Sequence, residues 1–290
     1  MRLRTLAVPT LFLMSALPAH AQQGPPLVMV MTREQFRPGN MAAHNKQIPA
    51  FYALFEKAKV GAPRIGLVPV SGDQNHILYL ETHASYADME ATGKKMGEVM
   101  GASPALQAEM DALTKQTDTL HESQTVMIAI RRDDLSYRPR TPAEIAKVRN
   151  INLTVTRVNT GRGGDYGDYI KQTNAARAKA NLDEHTSVWQ VTSGALAGTF
   201  LAFNSNSSMA EADAAFMGGD ARTKKLTEAL GGDMVVKERQ RVFPELVATA
   251  TTTLYSVDRG ISRPAPEYIA ADPAFWKPIK PMEPAKPVKK

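Results

Sequence analysis

The sequence predicts an α+β protein made of two tandem β-α-β-β-α-β units whose antiparallel sheets pack face to face. Three observations predict it. Motifs recur at one spacing: Tyr137-Arg138-Pro139 against Ser262-Arg263-Pro264 (264 − 139 = 125), and Lys46-Gln47 against Lys171-Gln172 (171 − 46 = 125). Short apolar runs and helical spacings follow one another in the same order in both halves. Each half is also too apolar to leave one sheet face in water, since even a few hundred Å² at about 25 cal/mol per Å² is several kcal/mol. The units are placed at residues 25–139 and 150–264.

In the first unit, Leu27-Val28-Met29-Val30-Met31 reads as a buried strand, broken by Arg37-Pro38-Gly39-Asn40. Met41, Ile48, Phe51, Tyr52, Phe55 and Ala58 recur at helical spacing. Pro49 falls inside that pattern and is expected to kink or divide the helix. Residues 65–70 and 76–80 form a hairpin around Ser71-Gly72-Asp73. Ser85 and Ser103-Pro104 are start signals for two further helical segments. Val126-Met127-Ile128-Ala129-Ile130 is the fourth strand.

The second unit repeats this order. A strand runs through Leu153, Val155 and Val158, and Gly161-Arg162-Gly163-Gly164 breaks it. Tyr166, Tyr169, Ile170, Thr173 and Ala176 mark the helix. Ser187 to Val191 and Thr199 to Phe203 form the hairpin about Ser193-Gly194. Ser207 or Ser208 caps the next helix, and Asp220 caps a segment containing Leu226 and Leu230. Thr251 to Val257, rich in β-branched residues, is the last strand.

Each half therefore has the ferredoxin-like order, a four-stranded sheet with two helices on one face. The chain resembles the dimeric α/β-barrel superfamily in a tandem-fused form. Val158 to Ile170 is similar to the opening of NIPSNAP-like and antibiotic-monooxygenase-like domains, where a strand passes through a Gly/Arg turn into an aromatic helix. The first unit has Phe36-Arg37-Pro38-Gly39 in that place and no paired tyrosines. The resemblance implies one pseudo-dimeric barrel. The superfamily includes cofactor-free oxygenases, haem enzymes and isomerase-like proteins, so it implies no single activity.

Composition narrows the classes. The chain has 290 residues and no cysteine, which excludes disulfides, thiolate metal sites and cysteine nucleophiles. Arg2 and Arg4, an apolar stretch from Leu6 to Leu17 and Ala19-His20-Ala21 read as a secretory signal over residues 1–21, with periplasmic or secreted localisation expected. No later segment is apolar for long enough to span a membrane. Lys+Arg number 35 and Asp+Glu 29, but residues 22–276 are balanced once Arg2, Arg4 and the tail's five lysines and one acid are set aside (35 − 2 − 5 = 28; 29 − 1 = 28). The basic excess lies in a Pro/Lys-rich tail, residues 277–290, expected to be disordered, so nucleic acid is not expected as a partner.

No catalytic residue is identified. No histidine pair has metal-ligand spacing and no GxSxG elbow occurs, so neither metal nor cofactor is expected. The candidate ligand-binding residues are His44, Tyr52, Tyr169 and Trp189. His44 lies on the apolar stripe of the first helix, between Met41 and Ile48. At an offset of 125 its counterpart is Tyr169 (169 − 44 = 125). It reads either as a core-edge histidine or as a polar group aimed into a barrel pocket walled by Trp189 and Tyr52. Two functions stay open: an exported protein of uncharacterised activity that binds a small apolar molecule, or a cofactor-independent monooxygenase- or isomerase-like enzyme. Either would be a monomeric pseudo-dimer or a homodimer.

Overall fold

The computed structural model describes residues 27–277 with the exception of Gly218. The expected signal segment, and the tail beyond Lys277, lie outside the described residues. The first half comprises β1 (Val28–Phe36), α1 (Met41–Ala58), β2 (Arg64–Pro69), β3 (His76–His83), α2 (Tyr86–Gly101), α3 (Pro104–Asp118) and β4 (His121–Arg131). A single 3-10 turn at Asp133–Leu135 and the short α4 (Pro142–Ile145) lead to the second half. That half comprises β5 (Asn150–Val158), α5 (Gly163–Lys179), β6 (Thr186–Ser193), β7 (Thr199–Asn206), α6 (Met209–Met217), α7 (Gly219–Leu230), α8 (Asp233–Leu246) and β8 (Val247–Arg263). Two short helices follow, α9 (Pro266–Ala271) and α10 (Pro273–Trp276).

The strands close into one antiparallel barrel in the order β1-β3-β2-β8-β5-β7-β6-β4. Each half supplies a ferredoxin-like sheet, β4-β1-β3-β2 and β8-β5-β7-β6. The sheets face each other and also join at both edges, through β2–β8 and β4–β6. The seam ladders are short, so residues 121–127 of β4 and 247–254 of β8 are paired along one edge only.

Strand alternation sorts the side chains into layers. Met31, Leu67, Leu78, Leu153, Trp189 and Leu201 belong to a core drawn from all eight strands, which fills the barrel. The opposite face of the first sheet presents Phe36, Ile77 and Tyr79 to Met41, Ile48 and Tyr52 of α1. Its counterpart in the second half packs Val158, Phe200 and Val247 against Tyr166 of α5.

Local signals explain most element starts. Ser85 accepts a hydrogen bond from the Asp88 amide (3.1 Å), Ser103 from Leu106 (3.4 Å) and Ser208 from Glu211 (3.1 Å). Several sequence expectations are corrected. Pro49 does not divide α1, which runs unbroken across it; the helix tolerates the missing amide because Leu54 and Ile48 are held in the core. Helix α8 is an element beyond those expected from the sequence. Asp220 lies inside the first turn of α7 rather than ahead of it. β8 extends well beyond residues 251–257, since its ends pair with β2 and β5.

The last described segment is clamped to the linker between the halves. The Trp276 indole donates to the Ala146 carbonyl (2.8 Å), Arg149 stacks 3.7 Å from the Phe275 ring centroid and pairs with Asp272, and Arg259 donates to the Phe275 carbonyl (3.0 Å).

A glycine sits at each barrel seam. A Cβ on Gly66 of β2 would meet Ile261 Cγ1 at 2.5 Å and its carbonyl oxygen at 2.9 Å. One on Gly194, after β6 at φ +86°, would meet the Val126 carbonyl oxygen at 1.9 Å. Gly66→Ala and Gly194→Ala should each destabilise the protein by about 1–3 kcal/mol in urea unfolding. Gly97→Ala, in the exposed interior of α2 with open space around it, should instead stabilise by about 0.5–1 kcal/mol.

Candidate functional site

Three ionisable side chains converge in the layer between α1 and the first sheet. Alternation along β1 turns Glu34 outward with Thr32 and Phe36, and it is 7% exposed. Arg37-Pro38-Gly39, with Gly39 at φ +87°, reverses the chain into α1. The first turn of that helix then brings His44, 1% exposed, down onto the strand. His121 opens β4 and pairs with Phe36, next to a bulge in the β1–β4 ladder. Its side chain keeps 16% of its surface exposed, the most of the three, so the cluster is most open on this side.

Glu34 Oε2 lies 3.0 Å from His44 Nε2 and 3.3 Å from His121 Nε2. The other carboxylate oxygen, Oε1, accepts from Gln124 Nε2 (3.2 Å). His44 Nδ1 faces the Asn45 carboxamide oxygen at 3.2 Å. Phe36 packs against both imidazoles, its ring centroid 4.5 Å from His44 and 5.0 Å from His121, and the imidazoles are 5.3 Å from each other. Glu34 Oε2 and His121 Nε2 are buried and make no aligned hydrogen bond. Such unpaired buried groups are costly and few in folded proteins.

Burial pushes the Glu34 carboxyl toward its neutral form, but His121 and His44 more than offset this and hold its pKa at about 2. The two nearby phenols go the other way. Desolvation raises Tyr52 and Tyr79 well above the ordinary tyrosine value, and the Glu34 charge adds to both. Tyr52 donates to the Ile261 carbonyl (2.7 Å), whereas the buried Tyr79 hydroxyl has no partner.

The residues singled out from sequence fall into three places. His44 and Tyr52 share the α1 layer. Trp189 is packed inside the barrel. Tyr169 lies on the outside of the second half, with Arg239 stacked 3.8 Å from its ring, and lines an open cleft of about 430 Å³ with Arg162, Asp165 and Asp168. The expectation of a single barrel pocket walled by all of them is corrected: strand alternation sends Trp189 inward, while the helix-borne residues stay outside the sheet. Glu34 and His121 were not found by sequence reasoning.

The counterpart of His44 is also corrected. The offset between halves is 122 at the ends of β1 and β5 (158 − 36) and at the starts of α1 and α5 (163 − 41). It is 126 at the starts of β4 and β8 (247 − 121). The matching pairs Phe36↔His121 and Val158↔Val247 fix the register. Glu34, His44 and His121 thus correspond to Thr156, Tyr166 and Val247, all buried. The offset of 125 is an average over unequal segments, and it pointed three residues too far along α5.

No family model matches the sequence. No curated protein matches it either. Solved structures do resemble the chain. An anthrone oxidase-like protein is 13% identical, with a TM-score of 0.49, over 81% of this chain and 93% of that one. A mutant chlorite dismutase from Candidatus Nitrospira defluvii is 8% identical, with a TM-score of 0.44, over 86% and 96%. A NIPSNAP family protein from Agrobacterium tumefaciens is 21% identical, with a TM-score of 0.29, over 38% and 90%. At these identities the likeness concerns the fold. The chain itself folds as one closed eight-stranded antiparallel barrel built from two ferredoxin-like halves.

Proposed function

We propose that the protein is an exported enzyme of small-molecule chemistry whose reaction centre is the Glu34–His44–His121 cluster. One observation carries this reading: the same layer is built two ways in one molecule. The second half fills it with Thr156, Tyr166 and Val247, so the fold does not require charge there. The first half buries a carboxylate there, at a desolvation cost on the order of several kcal/mol, with two imidazoles against it. Ionisable groups held against burial at the edge of a domain mark reactive sites. Side chains from all eight strands pack together in the barrel interior, which favours the enzyme reading over the binding one. Export is supported by the basic start, the short apolar stretch and Ala19-His20-Ala21.

The reading is tested by incubating the protein with small-molecule extracts and following their composition by mass spectrometry. The wild-type protein should deplete at least one compound that Glu34→Gln leaves untouched. Identical profiles from the two proteins would count against an enzyme centred on Glu34.

Stability separates function from architecture. Replacing the cluster's polar pair with the second half's residues, Glu34→Thr together with His121→Val, should leave unfolding free energy unchanged or raise it by about 1–4 kcal/mol in urea. Glu34→Thr alone, which strands two imidazoles, should lower it. A large loss in the double variant would show that the cluster serves the fold.

Acid sensitivity follows from the Glu34 carboxyl. Its folded pKa is depressed, from 4.5 to about 2, so its contribution is full above the unfolded value and is lost as pH falls from about 4.5 toward 2. Over that window the wild-type protein should lose on the order of 3 kcal/mol more than Glu34→Gln, measured by urea unfolding at stepped pH.

A further inference from the structure

We infer that Glu34, His44 and His121 bind a divalent transition-metal ion, an inference that rests on the cluster being the functional centre. The ligand atoms all lie within 4.8 Å of one another. Donors about 2.0–2.2 Å from an ion, subtending roughly 90–110°, stand about 3.0–3.5 Å apart. The Glu34 Oε2 distances of 3.0 and 3.3 Å fall in that range.

Hydrogen bonding supports a cation independently. The Asn45 carboxamide oxygen is an acceptor, so the His44 Nδ1–H donates to it. In the neutral imidazole Nε2 is then a bare lone pair, and it faces a carboxylate oxygen at 3.0 Å. Two acceptors in that position repel. Either the ring carries a second proton or a cation lies between the groups. An ion also gives Glu34 Oε2 and His121 Nε2 the partner that each lacks. The surroundings match what a metal site requires: a side-chain oxygen taking the far N–H of one histidine and Gln124 holding the far carboxylate oxygen.

The donor set defines the class of ion. Two imidazoles and one carboxylate suit Zn²⁺, Fe²⁺ or Mn²⁺ rather than Mg²⁺ or Ca²⁺, which prefer oxygen alone. Three protein donors leave positions open for water or for an oxygen of a small substrate. The most open side is the one bordered by His121.

The test uses the untagged protein stripped with a chelator and titrated with Zn²⁺ and, separately, Co²⁺. One ion per chain should bind, thermal stability should rise with Zn²⁺, and Co²⁺ should give the visible bands of nitrogen–oxygen ligation. Glu34→Gln and His121→Ala should each weaken Zn²⁺ binding at least tenfold, while His185→Gln, outside the cluster, should not. The Co²⁺ spectrum of the unaltered protein reports ligation even where a variant folds poorly. No binding, or binding that survives both substitutions in folded protein, would overturn the metal site. If Zn²⁺ does not bind yet the Glu34→Thr/His121→Val protein stays stable and Glu34→Gln alone loses turnover, the reaction centre stands without its metal. If the double variant collapses, the functional reading itself falls.

Discussion

Barrel closure is the constraint on which the rest of this molecule depends. Each ferredoxin-like sheet has one face covered by its own helices and one that must find a partner. Pairing β2 with β8 and β4 with β6 covers both bare faces and joins the two sheets at both seams. The strands must approach closely at those seams, which is why Gly66 and Gly194 sit there. Closure also fills the interior with side chains from every strand, Trp189 among them. Polar chemistry is thereby displaced from the barrel centre to the layer between sheet and helix. There β1, α1 and the start of β4 bring together three groups that lie 10 and 77 residues apart in sequence (44 − 34; 121 − 44).

Much of the architecture was legible because apolar runs and turn residues report it directly. The hairpins about Gly72 and Gly194 and the caps at Ser85 and Ser103 are local signals with local causes. His44 and Tyr52 were legible for a related reason: they lie on the apolar stripe of a helix, and a polar atom on such a stripe is conspicuous. Glu34 and His121 were not. Reading strands as apolar runs ends β1 at Met31 and begins β4 at Val126, whereas the ladder continues to Phe36 and back to His121. The missed strand ends are polar, and Glu34 and His121 lie on them. The shifted counterpart of His44 has a different cause. Motif spacing averages over loops and strands of unequal length, and only pairing register, here the bulges beside Phe36 and Val158, assigns residues to one another.

The electrostatics of the two halves diverge accordingly. Around Tyr166 the second half is apolar and hydroxylic, and its layer contributes by packing. Around His44 the first half holds a carboxylate whose ionised form survives burial only through its neighbours. Tyr79, buried with an unpaired hydroxyl beside that charge, shows how far the first half departs from an ordinary core. Buried charge is thus distributed unequally across an architecture that is otherwise repeated.

The covalent link between the copies gives this asymmetry its meaning. In a barrel assembled from two identical chains, every substitution is made twice. A buried charged cluster would be present in both sheets, and its desolvation cost would be incurred in both. Joining the copies end to end releases them from that symmetry. One can hold a buried carboxylate and two imidazoles in its sheet–helix layer while the other fills that layer with Thr156, Tyr166 and Val247. The clamp of Trp276 and Arg149 on the linker between the halves holds both copies in a single chain, so the outer layer of one sheet is free to differ while both sheets still close the barrel.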